Sequence, residues 1–137
     1  MVPGILVCVL VLAAAATFGL SRRRRDGKLT QPRPAQLTAA QLGQPLGARA
    51  TLLQFSSEFC APCRATRQTL GEVASGQDGV RHVEVDAAER LDLVRLLDVR
   101  RTPTVFVLGP DGRVTRRGSG LMRKDEVLAA LGDADER

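Results

Sequence analysis

The sequence predicts an α/β fold, a central mixed β-sheet flanked by helices, preceded by one N-terminal transmembrane helix. Two patterns indicate this. From Arg49 onward, short runs rich in β-branched residues alternate with stretches whose apolar residues recur at helical spacing. Ahead of them, Met1–Ser21 contains no charged side chain. The 137 residues leave room for one folded domain besides that N-terminal segment.

The apolar N-terminal segment is long enough to cross a membrane. About twenty helical residues span a hydrocarbon core of roughly 30 Å, and we expect residues 2–21 to form this anchor. A secretory signal peptide would begin with basic residues, whereas here the cluster Arg22–Arg25 follows the apolar run. The positive-inside bias then predicts a single-pass protein of the cell membrane with a cytoplasmic C-terminal domain. The alternatives are an extracytoplasmic domain and a signal peptide that is cleaved near residues 14–16.

The net charge of +5 is concentrated beside the apolar segment. Residues 1–48 carry six basic side chains and one acid, whereas residues 49–137 carry fourteen of each sign. A neutral domain without Trp or Tyr lacks both the basic face and most stacking groups of a nucleic-acid-binding protein, so no nucleic-acid partner is expected. Residues 22–48 combine charges, Gly27 and prolines without apolar periodicity. They are predicted to be a basic linker whose residues 22–36 are solvated, while Leu37–Leu46 are expected to form a short helical turn that packs on the domain.

The domain itself, residues 49–133, is expected to alternate strands and helices. Gly76 is a C-terminal stop signal for the first helix of the domain, and Gly109–Gly112 is a hairpin signal. The predicted strands are Thr51–Phe55, Val80–Val85, Thr104–Leu108 and Val114–Arg116, and the predicted helices are Ala61–Ser75, Ala87–Leu97 and Lys124–Leu131. A βαβ unit followed by a hairpin and a closing helix makes a small mixed sheet with helices on both faces.

The chemistry of the domain is indicated by Cys60-Ala61-Pro62-Cys63, which lies where a strand gives way to a helix. The first turn of a helix offers unpaired N–H groups and partial positive charge, and both favour a thiolate over a thiol. Cys60 is therefore the expected nucleophile of disulfide exchange, and Cys63, one turn inside, can resolve a mixed disulfide. Pro62 suits a helix start, and Arg64 and Arg67 are expected to add positive charge.

Three other interpretations of the two cysteines are less favoured. A zinc site needs four ligands, and the chain adds only His82 and Cys8, unless two copies share the metal. A c-type haem needs His directly after the second cysteine, where Arg64 stands. A disulfide across two intervening residues is a poor structural staple. Redox chemistry is thus favoured, and neither a metal nor a cofactor is expected.

Two segments, Leu53–Arg64 (LQFSSEFCAPCR) and Val99–Thr104 (VRRTPT), resemble the thioredoxin family. The resemblance covers roughly residues 49–131 and implies a thioredoxin-like fold. It implies that Pro103 is a cis-proline that faces the dithiol and presents the Thr102 backbone to an extended substrate, with Gly120 beside the groove. The substrate groove implied in this way comprises Phe59, Ala61, Pro62, Thr102, Pro103 and Gly120.

The sequence departs from the family pattern at four positions. Phe59 replaces the usual Trp before the first cysteine, and Gln54 replaces a buried acid, so it cannot take a proton. His82 stands where some members carry a basic residue; it is either a proton acceptor for Cys63 or an ordinary strand histidine. Arg101 replaces a small residue. Either it recruits acidic partners or lowers the Cys60 pKa, or Arg100 and Arg101 are solvated turn residues.

The resulting hypothesis is an enzyme, a membrane-tethered thiol–disulfide oxidoreductase. Its expected partners are protein disulfide substrates and an electron donor, either a thioredoxin reductase or a membrane thiol carrier. An extracytoplasmic domain would instead deliver thiols, for example to apocytochrome cysteines. The alternative from another class is a non-enzymatic membrane adaptor that uses the fold as a docking surface. An adaptor needs neither the Cys-x-Pro-Cys motif nor the Thr102-Pro103 pair.

Overall fold

The computed structural model describes residues 2–135, and it contains four strands and five helices in that part of the chain. The strands are β1 (Ala50–Ser56), β2 (Val80–Asp86), β3 (Thr104–Leu108) and β4 (Val114–Ser119). The helices are α1 (Val2–Arg25), α2 (Ala39–Leu42), α3 (Ala61–Ser75), α4 (Leu91–Leu96) and α5 (Lys124–Asp135). From residue 49 onward this is the predicted order of elements.

The four strands form one mixed sheet in the order β2-β1-β3-β4. Strand β1 pairs in parallel with β2 and antiparallel with β3, and β3 pairs antiparallel with β4. In the centre of the sheet Leu53 lies between Val83 and Phe106. Every residue of β1 is buried, as expected for a central strand covered on both faces. The predicted mixed sheet with helices on both faces is confirmed.

Successive side chains of a strand point to opposite faces, so the sheet divides the core in two. One face packs against α2, α4 and the segment before α2, while α3 and α5 cover the other face. The buried residues of the first face are Leu37, Leu42, Leu53, Phe55, Val83, Val85, Leu93, Leu97, Phe106, Leu108 and Val114. Those of the second are Ala50, Leu52, Leu70, Val73, Val80, Val105, Val107, Met122, Val127, Ala130 and Leu131.

Helix α1 extends four residues beyond the predicted end of the apolar segment, through the arginines to Arg25. Its 24 residues give a length of about 36 Å. Residues 3–25 are exposed throughout. The length and composition of Pro3–Arg25 suit a membrane span, and a signal sequence near the N-terminus has the same properties.

The structure differs from the expected solvated linker in residues 26–36, which pack on the domain, whereas the helical turn expected to pack on the domain is α2. Residues 26–37, which we call the strap, run along the outer edge of β4. Leu37 is fully buried, and beyond the strap Leu42 is buried as well. The backbone hydrogen bonds are Gly27 N to Ser119 O, Thr30 N to Arg117 O, Arg117 N to Thr30 O, Val114 N to Ala35 O and Leu37 N to Gly112 O, at 2.7 to 2.9 Å. The strap thus covers a sheet edge that would otherwise expose unpaired backbone groups.

Five elements of the domain differ in length from the prediction. Strand β1 is longer by one residue at each end, and β2 is longer by one residue at its C-terminal end. Helix α4 begins at Leu91 rather than at Ala87, because the Asp86 carboxylate and carbonyl bind the N–H groups of the intervening turn, those of Ala88, Glu89 and Arg90. Strand β4 continues to Ser119 because its pairing with β3 extends through the polar residues Arg116 and Arg117. Helix α5 continues to Asp135, four residues past the last predicted position.

Candidate functional site

Cys60 and Cys63 lie at the junction of β1 and α3, and a disulfide links them. Cys60 is the N-cap residue of α3, and its sulfur accepts a hydrogen bond from the Cys63 N–H at 3.2 Å. Pro62 stands in the first turn, where its missing N–H leaves no helix bond unmade. Cys63 is buried, at 1% exposure, while Cys60 is partly exposed. Reagents in solvent therefore reach the Cys60 sulfur first.

The electrostatic surroundings of the dithiol come mainly from the helix start. The unpaired N–H groups of the first turn of α3 and its partial positive charge stabilise a Cys60 thiolate. Arg64 is exposed in the same turn. Arg67 differs from the expectation, because its guanidinium binds both carboxylate oxygens of Glu84, at 2.6 and 2.7 Å. Its charge is thus balanced locally instead of acting on the thiols.

The loop before β3 is joined to the dithiol loop by side-chain hydroxyls. The Thr102–Pro103 peptide bond is cis, which confirms that prediction. The Thr102 hydroxyl lies 2.8 Å from the Ser57 hydroxyl, three residues before Cys60. On the other side, the Gly120 N–H donates to the Pro103 carbonyl at 2.9 Å. The structure therefore brings Thr102, Pro103 and Gly120 together next to the loop that carries the cysteines.

The remaining groove candidates lie on the solvent side of the cysteines. Phe59 is 94% exposed, and Ala61 and Pro62 are exposed as well. Phe59 is the most exposed of the large apolar side chains among residues 3–134. An apolar ring of this size in water gains free energy when a partner covers it.

Behind the cysteines lies a buried polar network that begins at Gln54. Gln54 is fully buried, and its amide nitrogen donates to the Cys63 carbonyl and the Ser56 hydroxyl, each at 2.9 Å. Its amide oxygen lies 3.0 Å from Nε2 of His82. Since the Gln54 amide nitrogen already makes both donations, its oxygen must accept, and Nε2 of His82 must carry the proton. The network thus determines the tautomer of His82.

The network places His82 against Gln54, which in turn holds the backbone of Cys63. Sequence reasoning noted Gln54 and His82 separately and missed their contact, as it missed Ser57 and Glu84. The available signal was periodicity. His82 and Glu84 are two residues apart on one strand, hence on one face, and β1 and β2 align Gln54 with Glu84.

The charges around His82 shift its titration. Burial lowers the pKa of His82 below its ordinary value, against the opposing attraction of Glu84, and the positive charge of Arg67 lowers it further. The hydrogen bond from Arg67 holds the pKa of Glu84 below its ordinary value. At neutral pH this part of the site therefore holds a neutral imidazole beside an Arg67–Glu84 ion pair.

We expect the free energy of unfolding to decrease as the pH falls below 6.5, the ordinary pKa of histidine. The unfolded chain protonates His82 more readily than the folded protein does, so acid favours unfolding. Glu84 also makes the free energy of unfolding decrease with falling pH, but in a lower range, below its ordinary pKa of 4.5. In His82→Gln the free energy of unfolding should depend less on pH between about pH 7 and pH 5, while the decrease below about pH 5 should remain. Urea unfolding at a series of pH values measures both ranges; an unchanged slope above pH 5 in the variant would contradict this assignment.

Arg101 makes a contact that neither interpretation of the sequence anticipated. Its guanidinium donates to the carboxylate of Asp26, the first residue of the strap, at 2.7 Å. Both side chains are partly exposed, so the pair contributes about 1 kcal/mol or less to stability. Arg101 therefore connects the loop of Pro103 to the strap.

Comparison with known proteins agrees with this fold. A family model described as a thioredoxin-like domain matches residues 38–135, and the chain belongs to the thioredoxin family. A protein named thioredoxin Asp f 28, from Aspergillus fumigatus, is 26% identical over 83 residues, which cover 58% of this chain and 76% of that protein. A thioredoxin from Mycoplasma pneumoniae is 27% identical over 77 residues, 56% of this chain and 74% of that protein.

Solved structures of thioredoxins share the fold. Chloroplastic thioredoxin z superimposes with a TM-score of 0.58 at 22% identity, over 66% of this chain and 81% of that one. The short form of spinach chloroplast thioredoxin f superimposes with a TM-score of 0.56 at 25% identity, over 64% of this chain and 78% of that one. The family and the paired cysteines together define the class of the protein as a thiol–disulfide oxidoreductase.

Proposed function

We propose that the protein is a membrane-tethered thiol–disulfide oxidoreductase that reduces disulfides of protein substrates through Cys60 and Cys63. The observation that supports this best is the asymmetry of the pair. A partly exposed sulfur caps a helix, and its disulfide partner is buried one turn further on. This arrangement offers one sulfur for attack and holds the other for resolution.

In the reduced protein the Cys60 thiolate attacks one sulfur of the substrate disulfide. A bond forms between Cys60 and that sulfur, the substrate disulfide breaks, and the second substrate sulfur leaves as a thiolate that takes a proton from solvent. The Cys63 thiol loses its proton and its sulfur attacks Cys60, which releases the first substrate thiol and forms the Cys60–Cys63 disulfide. Two electrons pass to the substrate, and a thioredoxin reductase or a membrane thiol carrier must then supply two electrons to reduce the Cys60–Cys63 disulfide again.

The groove residues are assigned supporting roles in this reaction. Phe59, Ala61 and Pro62 offer an exposed surface beside Cys60, and on the other side Thr102, Pro103 and Gly120 offer an extended backbone to a substrate strand. Thr102 is the link between the two sides, because its hydroxyl contacts Ser57 of the dithiol loop. The position of His82 behind Gln54 supports a role for it in holding Cys63, or in taking its proton through a water molecule.

The tether in this proposal is α1, with residues 2–21 in the membrane. The four arginines that follow favour the cytoplasmic side for the domain, with the extracytoplasmic side as the alternative. A reporter enzyme that works only in the cytoplasm, fused to the C-terminus, should be active. An active reporter of export would instead assign the domain to thiol delivery outside the cytoplasm.

The experiment that tests the activity is multiple-turnover reduction of insulin by the full chain in detergent micelles, with dithiothreitol as the electron donor. We expect precipitation of the insulin B chain to be faster than with dithiothreitol alone. The variant with both Cys60 and Cys63 replaced by Ser should match the background. Equal rates for the native chain and this variant would favour the adaptor hypothesis.

A further inference from the structure

The strap joins α1 to the groove through a very short stretch of chain. Helix α1 ends at Arg25, and the N–H of Gly27 donates to the Ser119 carbonyl at 2.7 Å. Two peptide units span at most about 7 Å. The Ser119–Gly120 part of the groove therefore lies within roughly 10 Å of the end of α1, given one hydrogen bond beyond that span. The four arginines add about 6 Å of helix, so it lies within roughly 16 Å of the end of the apolar segment at Ser21.

Three glycines allow this close approach of the two backbones. Gly27 and Gly120 have φ angles of +78° and +90°, which favour glycine. A Cβ atom at Gly27 would collide with the Leu121 carbonyl oxygen, and one at Gly120 would lie 3.1 Å from the Asp26 Cβ. A Cβ atom at Gly118 would lie 3.0 Å from a methyl carbon of Leu29. Small residues stand on both sides of the contact where the strap meets the groove.

The Arg101–Asp26 pair fixes the strap at a second point. Arg101 precedes the Thr102–Pro103 pair, so Asp26 and Gly27 contact the two adjoining loops that form the side of the groove with Pro103 and Gly120. The two contacts come from adjacent residues, and they determine which side of the domain meets the end of α1. That side carries Gly120 and the exposed apolar residue Leu121.

We infer that the strap holds the groove at the membrane surface, and that the substrates are proteins whose disulfides lie next to that same surface. The inference rests on the proposed function, since it needs α1 in a membrane. A short, fixed tether raises the effective concentration of the dithiol toward cysteines at the same depth. Exposed Phe59 and Leu121 suit the boundary between headgroups and water, where apolar surface is partly covered.

The first test compares two substrates in vesicles of phosphatidylcholine and phosphatidylglycerol that contain the full chain. Both substrates are single-span peptides with the same disulfide loop, placed about two or about twenty residues from the span, the longer spacer reaching about 25 Å as a flexible coil. The native chain should reduce the near disulfide about tenfold faster than the far one. A Gly/Ser insertion of about twenty residues between Arg25 and Asp26 should abolish or invert that preference.

A matched control inserts the same Gly/Ser segment between Gln77 and Asp78, in the loop between α3 and β2. This variant should keep the preference for the near disulfide. If all three proteins reduce both peptides with the same ratio of near to far rates, the inference is overturned and the oxidoreductase proposal still stands. Reduction of neither peptide by the native chain would overturn the proposed function, and this inference with it.

A second measurement needs no enzymatic activity. The chain contains no Trp, so Phe59→Trp introduces a single indole on the dithiol loop. Lipids with a nitroxide on the headgroup should quench its fluorescence, and the insertion after Arg25 should relieve the quenching. Pro110→Trp serves as the control and should be quenched less. It lies beyond the opposite end of β3 from Pro103, and the five residues of β3 span about 17 Å. Equal quenching at the two positions, unchanged by the insertion, would place the groove away from the membrane.

Discussion

Replacing Cys63 with Ser should leave the protein covalently attached to its substrates. Cys60 remains as the exposed thiol at the start of α3, so it still attacks a disulfide and forms the mixed disulfide. The buried sulfur that would release the substrate is gone, and a serine hydroxyl cannot replace it. Steady-state turnover should fall to the background rate while adducts accumulate. Nonreducing gels of membranes that contain the variant should show adducts that dithiothreitol removes.

The matched control is Cys60→Ser, which removes the exposed sulfur and keeps the buried one. It should lose turnover equally and form no adducts, because Cys63 is only 1% exposed. Both variants belong in a Cys8→Ser background, since Cys8 is an exposed free thiol of α1. Adducts that form equally in both variants would show that the position at the helix start does not determine which sulfur reacts.

Phe106→Ala should cost about 3–5 kcal/mol of unfolding free energy, the largest effect on stability that we expect from a single substitution. The ring is buried in the first core face, where it packs edge-on against Phe55 with centroids 5.8 Å apart. The guanidinium of Arg117 lies 5.3 Å from the ring centroid, so the substitution also removes a cation–π contact. Domains of this size have about 5–15 kcal/mol in total, so the variant loses a large share.

Phe59→Ala is the matched control, because it removes the same side chain from a site that is 94% exposed. Its unfolding free energy should change by about 0.5 kcal/mol or less. Pulse proteolysis in urea, applied to the full chain in micelles, reports on the domain even though α1 stays helical. Similar losses for the two variants would contradict the burial of Phe106 in the core and the exposure of Phe59.

Much of the fold could be predicted because the strands and α3 carry strong local signals. The limits of α3 and β3 agree with the prediction, since Pro62 and Gly76 bound the first and the run of buried apolar residues defines the second. Strand β4 was predicted to end at Arg116, because the following residues Arg117, Gly118 and Ser119 look solvated in the sequence. Their pairing with β3 depends on the tertiary structure, which intrinsic strand propensity does not indicate.

The strap and the polar network could not be predicted, for the same physical reason. Leu29 is an isolated apolar residue among prolines and charges, and no periodicity indicates that it packs on the sheet. Likewise, Gln54 has the composition of an ordinary polar strand residue, and its hydrogen bonds join residues nine and 28 positions away. Contacts at such separations depend on the folded sheet, whereas the dithiol motif is local and could be identified directly.

The measurement that tests the central claim most directly is a single turnover of the reduced native chain with a peptide disulfide, stopped in acid at millisecond intervals. Peptide mapping by mass spectrometry then identifies the cysteine that carries the substrate. We predict an adduct on Cys60 that appears first and decays into the Cys60–Cys63 disulfide as the substrate thiol bound to Cys60 is released. An adduct on Cys63, or substrate reduction without any adduct on Cys60, would contradict the account.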